Sequence, residues 1–353
     1  MRLLFYLVVL SFFLSCRKDP AGSDFMRHPQ TVLNGIFVLN EGNFGQENGS
    51  LSFYDPEENE IYNNVFQDVN KRNLGSIAQS IAFLDSIAII VVNGSDRLEV
   101  IHARTFKSIR TVNLPVGSSP KYITCYNKEK AYITNLYTNT CSVLDLKNWE
   151  ITKEIPVGAN PEGIAIAGNK VFVANSGFGY GNTVSVINTA LDEVIATIRV
   201  SDNPVSAETM NDRIYILCSG SYGQDLYNPE DDSPGAIFCI DPETNIKLDS
   251  ILIEGHPSKL ATDGDRMGIF LTQGGLMRFN AEKMTIEDSL MIKAPVSEVF
   301  YGVAWDPVTK NIHVLNAKDF TQQGQMLIYD TNGVKLREKT VGIIPGTIGF
   351  YYE

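Results

Sequence analysis

Five segments rich in glycine and amide side chains carry most of the contact chemistry this chain could offer. They are EGNFGQENG (41–49), LYTNT (136–140), SGFGYGN (176–182), SGSYGQDLYNPEDDSPG (219–235) and AKDFTQQGQ (317–325). Asn43, Phe44, Tyr137, Phe178, Tyr180, Tyr222, Tyr227 and Phe320 lie in them. Apolar area left in water forgoes roughly 25 cal/mol per Å², so aromatic rings on polar loops point to something that covers them. Some of these rings are expected to fold down as loop anchors. The rest would offer stacking surfaces with amides between them, which suits a neutral or weakly charged ligand.

Reactive chemistry finds little support. The four histidines are His28, His102, His256 and His313, and no pair has metal-ligand spacing. There is no G-x-S-x-G elbow, no Cys-x-x-Cys pair and no phosphate loop. Asp55, Asp241 and Asp306 each precede a proline and read as turn residues. No catalytic residue, metal or cofactor is expected, and the chain reads as a non-enzyme. With 29 basic and 41 acidic residues the net charge is −12. No Lys/Arg cluster tracks a phosphate backbone, so nucleic acid is not an expected partner.

The elements that must position these loops are visible as a repeat. IFVLN, IIVVN, AYITN, VFVAN, IYILC, GIFLT and IHVLN end at Asn40, Asn93, Asn135, Asn175, Cys218, Thr272 and Asn316. Steps of roughly 40 to 54 residues in a strand-rich sequence mean propeller blades. The five asparagines are expected to brace strand-to-loop turns through their side chains. No stretch carries an amphipathic helical period of any length.

A second column confirms the register. Gln79, Lys121, Glu162, Val205, Ser258 and Tyr301 open the strand that precedes six of these runs, and Gly346 in the C-terminal GTIGFYYE occupies the same place for the first. The expected fold is therefore all-β, a seven-bladed propeller of four-stranded blades, closed when the C-terminal strand joins the first blade. Closure of this kind removes the free sheet edges at the seam. The column should ring the channel mouth beneath the aromatic loops, and its varied members are candidate ligand contacts. Residues 34–353 then form one propeller domain.

Ahead of it, Arg2 and the apolar run LLFYLVVLSFFL are too short to span a bilayer and fit a signal peptide over 1–15. Ser15-Cys16 resembles a lipobox, which would make Cys16 the lipidated first residue of the mature chain; an ordinary secretory signal is the alternative. Residues 16–33 read as a flexible tether to a membrane. The other cysteines lie in strand patterns. Buried free thiols are the expected state: Cys125 and Cys141 are too far apart to bridge, and a pair between Cys218 and Cys239, in adjacent strands, is the alternative.

The segment KVFVANSGFGYGNTVSVINTALDEVIATIRVSDNP resembles the YVTN-type repeat of YncE-like propellers, and IPVGANPEGIAIAGNKVFVANSG is similar to it. VLNEGNFGQENGSLSFYDPEENEIYNN resembles the first blade of the DUF5074/BtuG-type surface lipoproteins of Bacteroidetes. The resemblance spans residues 36–353. It implies an outer-membrane lipoprotein, at the cell surface or on the periplasmic face, that binds cobalamin or another corrinoid and passes it to a TonB-dependent transporter. Amides such as Asn43, Gln46, Asn48 and Gln224 would then face the corrinoid side chains. A protein-interaction scaffold and a propeller enzyme of the lyase or lactonase type stay open as alternatives.

Overall fold

The computed structural model describes Pro29, residues 31–225 and residues 228–353. The segment expected to be a signal peptide (1–15), Cys16, nearly all of the expected tether and Tyr227 lie outside the described residues.

Seven antiparallel four-stranded sheets are arranged as blades. Their innermost strands are Pro345–Tyr351, Ala78–Leu84, Pro120–Cys125, Pro161–Ala167, Pro204–Met210, Ser258–Thr262 and Val299–Trp305, for blades one to seven. Blade one takes its innermost strand from the C-terminus and its next three, Gly35–Asn40, Ser50–Asp55 and Glu60–Tyr62, from the N-terminal end of the domain. The closing register runs from Gly35 opposite Tyr351 to Leu39 opposite Thr347.

No single core exists. Strand side chains alternate between two faces, and every face of a blade meets a neighbour, so each of the seven contacts between blades has its own apolar cluster. Phe37 and Leu39 pack toward blade two, whereas Ile36 and Val38 pack toward blade seven. The contact between blades one and two is the most aromatic. There Phe37, Phe53 and Phe106 lie 5.1 to 5.6 Å apart by ring centroids, and Tyr351 of the closing strand lies 5.6 Å from Phe83.

Two details that the sequence left open are decided here. A short helix, Val65–Asn70, interrupts the connection from blade one to blade two and buries Val65 and Phe66. Six residues are too few to print a helical period in the sequence. Cys218 and Cys239 do not pair: Cys218 faces Ala236 and Cys239 faces Tyr215 in the same ladder, so the register separates them. Cys125, Cys141, Cys218 and Cys239 are free thiols, and burial pushes Cys125 up to about 11.

Candidate functional site

In every blade the hairpin after the second strand and the loop leading into the innermost strand emerge on one face. A repeated backbone bond ties them together. The amides of Glu41, Asn93, Leu136, Ser176 and Ser219 donate to the carbonyls of Ile344, Ile77, Ser119, Asn160 and Asn203 at 2.8 to 3.1 Å. Each acceptor residue is left-handed, with φ between 46° and 59°. The column asparagines brace the same turns. Asn40 Nδ2 donates to Ser52 Oγ (2.9 Å), Asn135 Nδ2 to Ser142 Oγ (2.6 Å) and Asn175 Nδ2 to Ser185 Oγ (3.0 Å).

Blades six and seven depart from this pattern. Their left-handed residues fall instead at Lys259 (φ 48°) and Ser297 (φ 66°). Above blade six the hairpin shrinks to Gln273 and Gly274, between the long loops of blades five and seven. The gap is a groove of about 1320 Å³, bordered by Tyr222 and His256 on one side and Phe320 on the other, with Ser258 beneath. Val296 on its rim is 89% exposed.

The aromatic residues divide into three groups. Tyr137 and Phe178, on blades three and four, lie 6.0 Å apart, and Tyr180 beside them is 75% exposed. Gly177, Phe178 and Gly179 are all left-handed, which turns Phe178 outward. Tyr222 stacks on the His256 ring at 3.7 Å, and His256 also meets Asp232 Oδ2 and the Ser219 carbonyl, both at 3.0 Å. Phe44 is 82% exposed on blade one. Phe320 is half-buried, set edge-on against Tyr301 at 5.4 Å. Asn43 mainly braces its own loop: its backbone N–H donates to Asn48 Oδ1 (2.7 Å), and its Nδ2 donates to the Phe320 carbonyl (3.2 Å).

Beneath the loops the predicted column forms part of a polar belt. Lys121 pairs with Glu162 at 2.6 Å. Gln79 Nε2 donates to Glu41 Oε1 (3.0 Å), and the Tyr301 hydroxyl donates to Glu41 Oε2 (3.2 Å). Lys259 Nζ donates to Tyr122 Oη (3.2 Å) and sits 5.5 Å from the Tyr301 ring centre. Six blades contribute, and blade five offers only Val205.

Glu41, Tyr122 and Lys259 were not read from the sequence. Glu41 is the one charged residue among those that follow Asn40, Asn93, Asn135, Asn175, Cys218, Thr272 and Asn316, which was an available signal. Lys259 is brought into the channel by its left-handed backbone, which no local pattern announces. Gly346 makes room for the belt, because a Cβ there would come within 2.6 Å of Glu41 Oε1.

The belt carries two carboxylates and two ammonium groups, so its charge cancels. Burial holds the Glu41 carboxyl above its ordinary value, against the opposing pull of Lys259 and Lys121. For Lys121, burial favours deprotonation, but Glu162 and Tyr122 outweigh it and raise the ammonium above its ordinary value. Among the described residues no group of three or more His, Cys, Asp or Glu could hold a metal ion.

Glu208, lower on the inner strand of blade five, has a different environment. Burial alone lifts its carboxyl to about 7 from an ordinary 4.5. A raised carboxyl binds its proton more tightly in the folded chain than in the unfolded one, so its destabilising effect is absent below pH 4.5 and complete above pH 7. Glu208→Gln is expected to stabilise the protein at pH 8 by about 2 kcal/mol, below the full value of the shift because the residue is only half-buried. It should also flatten the loss of stability between those two pH values, as read by urea titrations. Parallel curves for variant and parent would show that Glu208 is already satisfied.

Comparison with known proteins agrees with this architecture. Residues 34–342 match a family described as a domain of unknown function, DUF5074. No curated protein matches the chain. Among solved structures, the chain is similar to a quinonprotein alcohol dehydrogenase-like protein from Bacteroides thetaiotaomicron, with 14% identity, a TM-score of 0.67 and coverage of 90% of this chain and 79% of that one. It is also similar to apo AztD from Citrobacter koseri, with 12% identity, a TM-score of 0.57 and coverage of 90% and 98%. Hydrazine synthase from Kuenenia stuttgartiensis gives 19% identity, a TM-score of 0.58 and coverage of 70% and 75%. At these identities the likeness is one of fold alone. The family match takes in most of the propeller, from residue 34 into the last strand before closure, and the chain belongs to the DUF5074 family.

Proposed function

We propose that this protein is a non-catalytic, lipid-anchored ligand-binding propeller of the cell envelope, which receives a bulky and weakly charged organic molecule on its loop-rich face. The observation that carries this reading is the gathering of Phe44, Tyr137, Phe178, Tyr180 and Tyr222 as exposed rings on one face, above a belt whose charges cancel. Exposed rings bind when covered, and a belt without net charge neither repels nor demands an ion. The groove above blade six exceeds an ordinary small-molecule cleft, which suits a ligand of macrocycle size.

A corrinoid is our choice of ligand, on the resemblance of the first blade to BtuG-type lipoproteins, and a TonB-dependent transporter is the partner that would accept it. Titration calorimetry with cobalamin and cobinamide tests the ligand. Saturable heat at micromolar concentration supports the corrinoid; its absence removes that ligand. Replacing Phe178 and Tyr180 together with Ala should weaken binding by about 1 to 2 kcal/mol for each ring. Unchanged affinity would mean that the ligand sits elsewhere.

Anchoring has its own test. Two acyl chains on Cys16 would hold the chain at the membrane, whereas one signal alone gives marginal attachment. Cys16→Ser is expected to move the protein into the soluble fraction. A variant that still sediments with outer membranes would argue against lipidation.

A further inference from the structure

One wall of the groove above blade six is Tyr222 stacked on His256, with ring centres 3.7 Å apart and planes 28° from parallel. Tyr222 is 49% exposed, and among the described residues His256 is the one ring it touches. Its place therefore depends on His256. That residue is held from two directions. Its backbone lies between Gly255, left-handed at φ 76° with its carbonyl accepting from the Gly235 N–H (3.1 Å), and Pro257, whose ring fixes its own φ. Its side chain is 14% exposed, with Nδ1 3.0 Å from the Ser219 carbonyl oxygen and Nε2 3.0 Å from Asp232 Oδ2.

A carbonyl and a carboxylate can only accept. A neutral imidazole carries one N–H, so it would meet one of these partners and turn a lone pair toward the other. A doubly protonated ring meets both. Asp232 then receives a charge-assisted bond, stronger than a neutral one, and Tyr222 lies over a cation, which its ring face attracts. Among the described acids, Asp232 alone lies within ion-pairing distance of the ring. Ser219 opens the long loop of blade five and Asp232 stands near its end, so one side chain ties together both ends of the loop that carries Tyr222.

We infer that His256 is a positioning residue of the groove: with a proton on each ring nitrogen, bonded to Ser219 and Asp232, it fixes Tyr222 as the wall against which a ligand packs. The inference rests on the loop face being the binding face, and it adds the residue that sets the groove's shape there. With both nitrogens engaged, His256 keeps no lone pair for acid–base work or for a metal.

The experiment uses the intact chain, isotope-labelled at histidine and tyrosine. Long-range nitrogen–proton NMR spectra at pH 7 should show a proton on both ring nitrogens of His256, and nuclear Overhauser contacts should join its ring to that of Tyr222. Asp232→Asn, which keeps the shape and removes the charge, should leave a single ring proton. His256→Gln should move the Tyr222 ring signals to those of a free tyrosine side chain, and circular dichroism melts establish that both variants are folded. A singly protonated ring in the parent, or two ring protons retained in Asp232→Asn, would overturn the assignment of the charge. Tyr222 signals unmoved in His256→Gln would overturn the positioning role. Cobalamin is the binding probe: where it saturates the parent, His256→Gln should weaken it by up to about tenfold, the range of one stacked ring pair, and equal affinity would overturn the part of His256 in binding. Where it does not saturate the parent, the corrinoid reading fails, and the spectra still decide whether His256 positions Tyr222.

Discussion

A chain truncated after Ile344 is expected to lose cooperative folding altogether. The strand Pro345–Tyr351 is the innermost of blade one, and its removal strips the ladder from Gly35 to Leu39 and exposes a sheet edge at the centre of the ring. It also removes Tyr351 from the aromatic cluster with Phe37 and Phe83, and Ile348 and Phe350 from the contact between blades seven and one. Burying a side chain of this kind fully is worth about 1.5 to 3 kcal/mol, and less for the half-buried Ile348 and Phe350. Three of them together approach the roughly 5 to 15 kcal/mol net stability of a native protein, before any ladder bond is counted. Thermal melting by circular dichroism reads the result. A truncated chain that melts at the parent temperature would show that the ring does not depend on this strand.

Lys259→Met is expected to destabilise the protein by about 3 to 5 kcal/mol, the usual consequence of leaving one member of a buried charged set unpaired. Lys259 is the largest influence opposing the burial of Glu41, whose carboxyl is raised even with the lysine present. Without it that carboxyl rises further. The folded variant then holds the Glu41 proton still more tightly than the unfolded chain, so the loss should be larger at pH 8 than at pH 5. Adding Glu41→Gln should recover much of the difference, because an amide can keep the bonds to Gln79 and Tyr301 without carrying charge. Urea titrations of the four proteins form a double-mutant cycle. Strictly additive losses would show that Glu41 and Lys259 do not act as one unit.

The sequence by itself determined the ring. Strand periods, the Asn column and the C-terminal GTIGFYYE are local patterns, and local patterns report which segments pair with their neighbours in the chain. Even closure across the whole length was legible, because a blade missing its first strand and a strand missing its blade have only each other. The asparagine braces were legible for the same reason: Asn175 bonds to Ser185, only ten residues away.

The tertiary structure decided the inside of the channel and the shape of the binding face. Tyr301 and Glu41 are 260 residues apart, and Lys259 and Tyr122 are 137 apart. Groups from different blades meet there only because seven sheets close into a circle, and no spacing within the sequence encodes a distance across that circle. The turn at Lys259 was hidden for a further reason. Its left-handed backbone (φ 48°) is carried by a lysine, not by the glycine or asparagine that would announce such a conformation in the sequence. The groove above blade six arises in the same way: a two-residue hairpin is visible as a short loop, but it becomes a site only when the long loops of blades five and seven stand on either side of it.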